Sequence, residues 1–188
     1  MRALAKFHPE GRRLTSGYLL RLGVTIGVVA AGSLYISARY TFAVDGQWFR
    51  CMAEKYFVID RWRPKDPSEI RPLDVLAFEM SDRQAYAALD WRAGDGMAKR
   101  VLATIPGTRI EVGLDGVRFV EPGGRSWEFG LGLEAAATLG RAPEEFARVV
   151  VLEPGQLWMM GDMKYSVDSR YYGPIDVAQV TGKVVASW

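Results

Sequence analysis

Seventeen consecutive uncharged residues, Leu22 to Ala38 between Arg21 and Arg39, constrain this chain more than any other stretch. A run of that kind must satisfy its backbone polar groups without water, and a helix does so within the segment itself. With Tyr18, Leu19 and Leu20 added, and with Arg21 able to carry its charge outward on its aliphatic stem, residues 18–38 are long enough for one membrane span. A buried core helix is the ordinary alternative, but such a helix keeps a polar face over this length. A cleavable signal peptide is the other, because the small residues Ala30, Ala31 and Gly32 follow an apolar core. The long basic region in front suits an anchor better.

Charge gives the span a direction. Residues 1–39 hold six basic side chains against one acidic one, a net of +5, which leaves −3 for the rest of a chain whose overall charge is +2. Arg2, Lys6, Arg12, Arg13 and Arg21 precede the span, which predicts a cytoplasmic basic segment (1–17) and a domain (40–188) on the far side of the membrane. Tyr35 and Tyr40 suit the outer interface. Because the basic excess is confined to that end, the domain offers no case for nucleic acid.

Past Arg39 the pattern is one of short strands and turns. Tyr40–Val44 reads as a strand ending at the turn Asp45-Gly46, and Tyr56–Ile59 and Asp74–Phe78 as two more, separated by a loop with Pro64, Pro67 and Pro72. Around Ala85, Tyr86, Ala88 and Leu89 a helical turn and half a hairpin are both compatible with the residues. Arg109–Val112 and Val117–Val120 alternate about Asp115-Gly116, the strongest hairpin signal in the chain. Residues 133–147 read as two short helices, the second opened by Pro143. Val149–Leu152, Leu157–Met160 and Val177–Ala186 complete a mostly β domain with a small helical insert, preceded by one transmembrane helix.

Most familiar chemistries fail on residue supply. One histidine, His8, and one cysteine, Cys51, cannot make a zinc site, and the acidic residues are scattered. No glycine-rich phosphate loop is present, and no cofactor is expected. A Ser-His-Asp triad lacks its histidine, which falls on the other side of the membrane from the domain. A lysine can serve as base where burial disfavours its ammonium form, and Lys99, in an apolar run and on the same strand face as Val101, is the candidate. By position alone a solvated edge lysine is the commoner reading of Lys99, and a small buried apolar residue the commoner reading of Cys51. Ser166, Asp168 and Arg170 are spaced two apart, so an extended backbone would turn a hydroxyl and an ion pair to one face.

Taken together, three stretches resemble the type I signal peptidases. Met160-Gly161-Asp162 with Ser166-Val167-Asp168-Ser169-Arg170-Tyr171-Tyr172-Gly173-Pro174 looks like their carboxy-terminal signature, Lys99-Arg100-Val101 with Pro106-Gly107 like the lysine-bearing one, and Pro72–Phe78 like the strand between nucleophile and lysine. The resemblance implies a β-rich serine-lysine peptidase whose nucleophile position falls on Cys51, whose base is Lys99, and whose lysine is oriented by Ser166. Asp168 with Arg170 and Asp162 with Arg100 would brace the site, and Met52, Phe78 and Phe49 would contact substrate. It also implies a bacterial inner-membrane protein with a periplasmic domain.

Four departures refine this expectation. Cysteine replaces serine, the proline that usually follows is absent (Ala53, Glu54), Phe49 stands where a hydroxyl often assists the oxyanion, and the interval from Gly-Asp to Ser166 is one residue shorter. They point to the conjugative-transfer, TraF-like branch, with a pilin-like precursor as substrate and the bilayer and other envelope secretion components as partners. They also motivate a second reading, a catalytically silent homologue that acts as an assembly or scaffold factor.

Overall fold

In the computed structural model, which describes residues 16–46, 50–84 and 89–188, the chain separates into two compact units, Met1–Arg39 and Tyr40–Trp188. The first contains helix α1 (Ser16–Arg39), 24 residues long with a mean hydropathy of 1.8. That is long and apolar enough to cross a bilayer. It extends the expected span by two residues at one end and one at the other, both within the usual uncertainty of helix ends.

Over its described residues the second unit is built from eleven strands in two antiparallel sheets. The larger sheet runs β1 (Tyr40–Val44), β2 (Tyr56–Asp60), β11 (Val180–Ser187), β3 (Val75–Glu79), β4 (Gly96–Ala103), β9 (Gln156–Met160), β10 (Ile175–Asp176). The smaller runs β7 (Ser126–Phe129), β6 (Val117–Val120), β5 (Arg109–Val112), β8 (Arg148–Val151). The hairpin at Asp115-Gly116 forms as the alternation predicts, with Val112 opposite Val117. Ile110, Phe119, Val101, Leu102, Trp158 and Leu157 belong to one buried cluster, so both sheets share a single core. A smaller cluster of Met52, Phe57, Ile59 and Ala77 lies apart from it.

Three features differ from the expectation. Residues 133–147 form no α-helix but two 3₁₀ turns, Ala136–Leu139 and Pro143–Glu145, the second opened by Pro143 as expected. Gly140, with φ of 67°, ends the first after one turn. The last strand starts at Val180, after a 3₁₀ turn over Val177–Gln179. Finally, Ser166, Asp168 and Arg170 do not lie on a strand: Asp168 is extended and caps α2 (Ser169–Tyr172), accepting a hydrogen bond from the Arg170 N–H. Ala85, Tyr86 and Ala88 lie outside the described residues, as do His8, Phe49 and the basic residues ahead of Ser16.

Candidate active site

Strand β4 delivers the lysine. It is hydrogen-bonded to β3 on one side and β9 on the other, with Lys99 opposite Leu76 and Arg100 opposite Met160. In a pleated strand Lys99 shares its face with Val101, and both are fully buried. The lysine is therefore an interior residue and not a solvated one. Its Nζ donates to Ser166 Oγ at 2.8 Å, and Ser166 is also fully buried. A buried amine requires such a partner, since leaving it unmatched would destabilise the fold by several kcal/mol.

Ser166 is held from behind by a closed polar network. Asp168 and Arg170, both inaccessible to solvent, form a bidentate ion pair with N–O distances of 2.9 and 2.8 Å. The guanidinium also donates to the carbonyls of Ser166, at 2.9 Å, and of Gly132, and the carboxylate accepts from the Gly161 N–H at 2.9 Å. Burial pushes the Asp168 carboxyl up, but Arg170, Lys99 and the Gly161 N–H outweigh it and hold the group below the ordinary carboxylate value. Arg170 feels the same balance in reverse, and Asp168 holds it above its ordinary value despite burial. The next residue, Tyr171, accepts from the Ala135 N–H at 2.9 Å and packs edge-on against Phe146, pinning the insert to the same turn. Burial pushes its hydroxyl up to about 12.

Cys51 arrives differently, from a bend ahead of β2. It is 5% exposed, and its backbone makes the contacts that position it. Its carbonyl accepts from the N–H groups of Asp162 (2.9 Å) and Met163 (3.3 Å), and its N–H donates to Asp45 Oδ2 at 3.4 Å. Asp162 is in turn gripped bidentately by Arg100 at 2.7 and 2.9 Å, and Arg100 reaches the Leu73 carbonyl at 3.2 Å. That pairing raises the Arg100 pKa above its ordinary value, its hydrogen bond to Asp162 being the leading cause.

Gly161 joins the two halves. A Cβ there would overlap Ser166 Oγ and the Cys51 carbonyl oxygen together, so only glycine lets the lysine-bearing side and the cysteine-bearing side meet. Cys51, Lys99, Arg100, Asp162, Ser166, Asp168 and Arg170 thus form one connected neighbourhood. Its chemical capacity is that of a buried amine oriented by a hydroxyl beside a thiol-bearing bend.

A cleft of about 390 Å³ opens on the cysteine side, lined among others by Cys51, Met52, Phe57, Ile59, Ala77 and Met97. Lys99 and Ser166 are not part of its wall. Met52 is, whereas Phe78 points the other way, fully buried in the main core, with its β3 neighbour Ala77 taking the place on the cleft. The sequence reading missed Asp45 and Gly161. Asp45 reads in the sequence only as half of a turn, and its partner lies six residues away; Gly161 sits in Met160-Gly161-Asp162, where its spacing gives it no role of its own. Among the described residues no group of acidic, histidine and cysteine side chains could hold a metal.

No curated protein sequence is similar enough to align significantly with the chain. A family model, that of the signal peptidases, peptidase S26, matches residues 16–188, taking in α1 and the whole β domain with the lysine strand, the cysteine bend and the turn that braces them. A match over that much of its length means that the chain belongs to the signal peptidase family, peptidase S26.

Proposed function

We infer that this protein is a membrane-anchored peptidase of the conjugative-transfer, TraF-like branch, which cuts an exported precursor of pilin type with Cys51 as nucleophile and Lys99 as base. In this reading α1 anchors it in a bacterial inner membrane, with residues 1–17 cytoplasmic and 40–188 periplasmic. Its partners are the precursor, the bilayer and other components of an envelope secretion complex. The observation that carries the reading is the pairing of fully buried Lys99 with fully buried Ser166 at 2.8 Å, next to the bend that holds Cys51. A lysine in that setting has no packing advantage over leucine or methionine, and a buried amine aimed at a fixed hydroxyl is the arrangement that proton transfer needs.

The steps follow from these groups. Neutral Lys99 takes the Cys51 thiol proton as the sulfur bonds to the substrate carbonyl carbon, and the carbonyl electron pair moves to oxygen, which the Cys51 N–H stabilises. Collapse of that oxyanion breaks the C–N bond, and the Lys99 ammonium returns its proton to the departing amine. Water then attacks the thioester, giving its proton to Lys99; the carboxylic acid leaves and the Cys51 thiol is restored. An amine in place of water would make the second step a peptide transfer. Cysteine suits this site because a thiol ionises more readily than a hydroxyl and asks less of the base.

The test is processing of the exported precursor in cells carrying full-length protein. Cys51→Ala and Lys99→Ala should each abolish it while leaving the protein in the membrane. Processing at the wild-type rate in Cys51→Ala would overturn the dyad. A silent assembly factor would keep its function in both variants and lose it when α1 is removed.

A further inference from the structure

The Cys51 N–H, the donor that the oxyanion requires, is already engaged: Asp45 Oδ2 accepts from it at 3.4 Å. Asp45 follows β1, its own N–H donates to the Lys55 carbonyl at 2.8 Å, and its side chain lines the cleft beside Cys51. Apart from Cys51 it is the one titratable residue in a wall otherwise made of Ala43, Val44, Met52, Phe57, Ile59 and similar small or apolar groups among the described residues. A carboxylate there and a developing oxyanion would compete for a single N–H and repel each other. Catalysis at this site therefore needs something that draws the carboxylate aside.

We propose that Asp45 is a specificity-determining residue that selects a precursor with a cationic side chain, lysine or arginine, next to the scissile bond. The substrate's ammonium or guanidinium pairs with the Asp45 carboxylate, and the Cys51 N–H is released to the oxyanion. The rest of the segment lies extended along the apolar wall. A precursor without that charge binds the wall but meets an occupied donor, so the discrimination falls on the chemical step. This rests on the peptidase reading given above, and the experiment separates the two.

The full-length protein in detergent micelles is assayed with internally quenched alanine-leucine peptides, each carrying one lysine, or norleucine in its place, at successive positions. Wild type should cleave the best lysine peptide about tenfold or more faster in kcat than its norleucine counterpart. Asp45→Ala, which removes the acceptor as well as the charge, should erase that preference by speeding the norleucine peptide, and Asp45→Glu should keep it. A preference unchanged in Asp45→Ala, or none in wild type, overturns the proposal.

A second measurement needs no cleavage. Cys51 is the sole cysteine, so its alkylation by the trimethylammonium and sulfonate methanethiosulfonates is read directly by mass. Corrected for reaction with a small free thiol, wild type should favour the cationic reagent by about tenfold. That ratio should fall toward one in Asp45→Asn. If no peptide is cut the peptidase reading fails, and an alkylation ratio equal in wild type and Asp45→Asn overturns the selection of cations as well.

Discussion

The two halves of the site are built on different principles. The lysine side comes from the interior: β4 is paired along both edges, Lys99, Ser166, Asp168 and Arg170 are all sealed from solvent, and the ion pair satisfies its own polar atoms through the backbone of Gly132, Gly161 and Ser166. The cysteine side is a bend held by its main chain, through the Cys51 carbonyl and N–H, at the wall of a cleft. The comparison teaches where change is tolerated. Exchanging the side chain at position 51 leaves every one of those backbone contacts in place, whereas exchanging Asp168 or Arg170 opposite strands a charged partner in the core. A thiol in place of a hydroxyl is therefore a substitution this fold accepts at little structural cost.

The largest effect expected of this asymmetry is a split between activity and stability. Cys51→Ala and Lys99→Met should both lower processing by ~10⁴-fold or more, equivalent to over ~5 kcal/mol in the barrier. Neither should unfold the domain, and Lys99→Met, which removes a buried amine without leaving a hole, should match or exceed wild type in urea midpoint. A Lys99→Met domain several kcal/mol less stable would show that the amine braces the fold.

Next in size, Arg170→Ala leaves the Asp168 carboxylate buried without its partner and should destabilise the domain by about 3–5 kcal/mol, seen as a lower urea midpoint. An unchanged midpoint would remove the contrast between the halves. Acid should probe the same pair. Because the folded Asp168 pKa lies below its unfolded value, its contribution is fully present above the unfolded value, near pH 3.8, and is lost as pH falls through the lower folded value. Asp168→Asn should flatten the stability profile in that window, and a profile as steep as wild type would assign the acid sensitivity elsewhere.

Much of this architecture is legible in the chain itself, wherever the determining contacts are local. The β5–β6 hairpin follows from Asp115-Gly116 between alternating residues, and β1 from the run Tyr40–Val44 up to its turn. The short strands β7 and β10 leave little trace in the sequence: Ser126-Trp127-Glu128-Phe129 alternates, but four residues and two are brief signals beside their turns. The misplaced strand at Ser166–Arg170 has a clear cause, since Asp168-Ser169 can cap a helix and a single turn is shorter than any periodicity. In the site, the resemblance grouped Lys99, Ser166, Asp168 and Arg170, and hydrogen bonds join them in the fold. Asp45 was not among them, because its meaning depends on the path of a loop.

The exposed end of the site should give smaller numbers. Arg100 and Asp162 retain side-chain exposures of 27% and 19%, so Asp162→Asn should destabilise by only about 1 kcal/mol. It should slow processing more than it weakens the fold, by about tenfold, because the 162 N–H that holds the Cys51 carbonyl loses its anchor. Equal losses in rate and stability would mean that the pair does no positioning. Smallest is Leu73→Gly: Leu73 follows Pro72 in the Arg71–Asp74 turn with φ of 71°, a conformation that suits glycine, and the relief of strain, partly offset by glycine's greater freedom when unfolded, should stabilise by roughly 0.5 kcal/mol in thermal unfolding.

The small apolar cluster of Met52, Phe57, Ile59 and Ala77 is also the wall of the cleft. In the proposed reading, recognition and folding therefore draw on the same square ångströms. A mutation that widens the range of accepted precursors will loosen the packing of β2 and β3 over this cluster, and one that tightens it will narrow the range. Preference and robustness in this lineage cannot drift independently, and variants that have changed substrate should carry compensating substitutions where β1 and β11 complete the same wall, at Ala43, Val44 or Thr181.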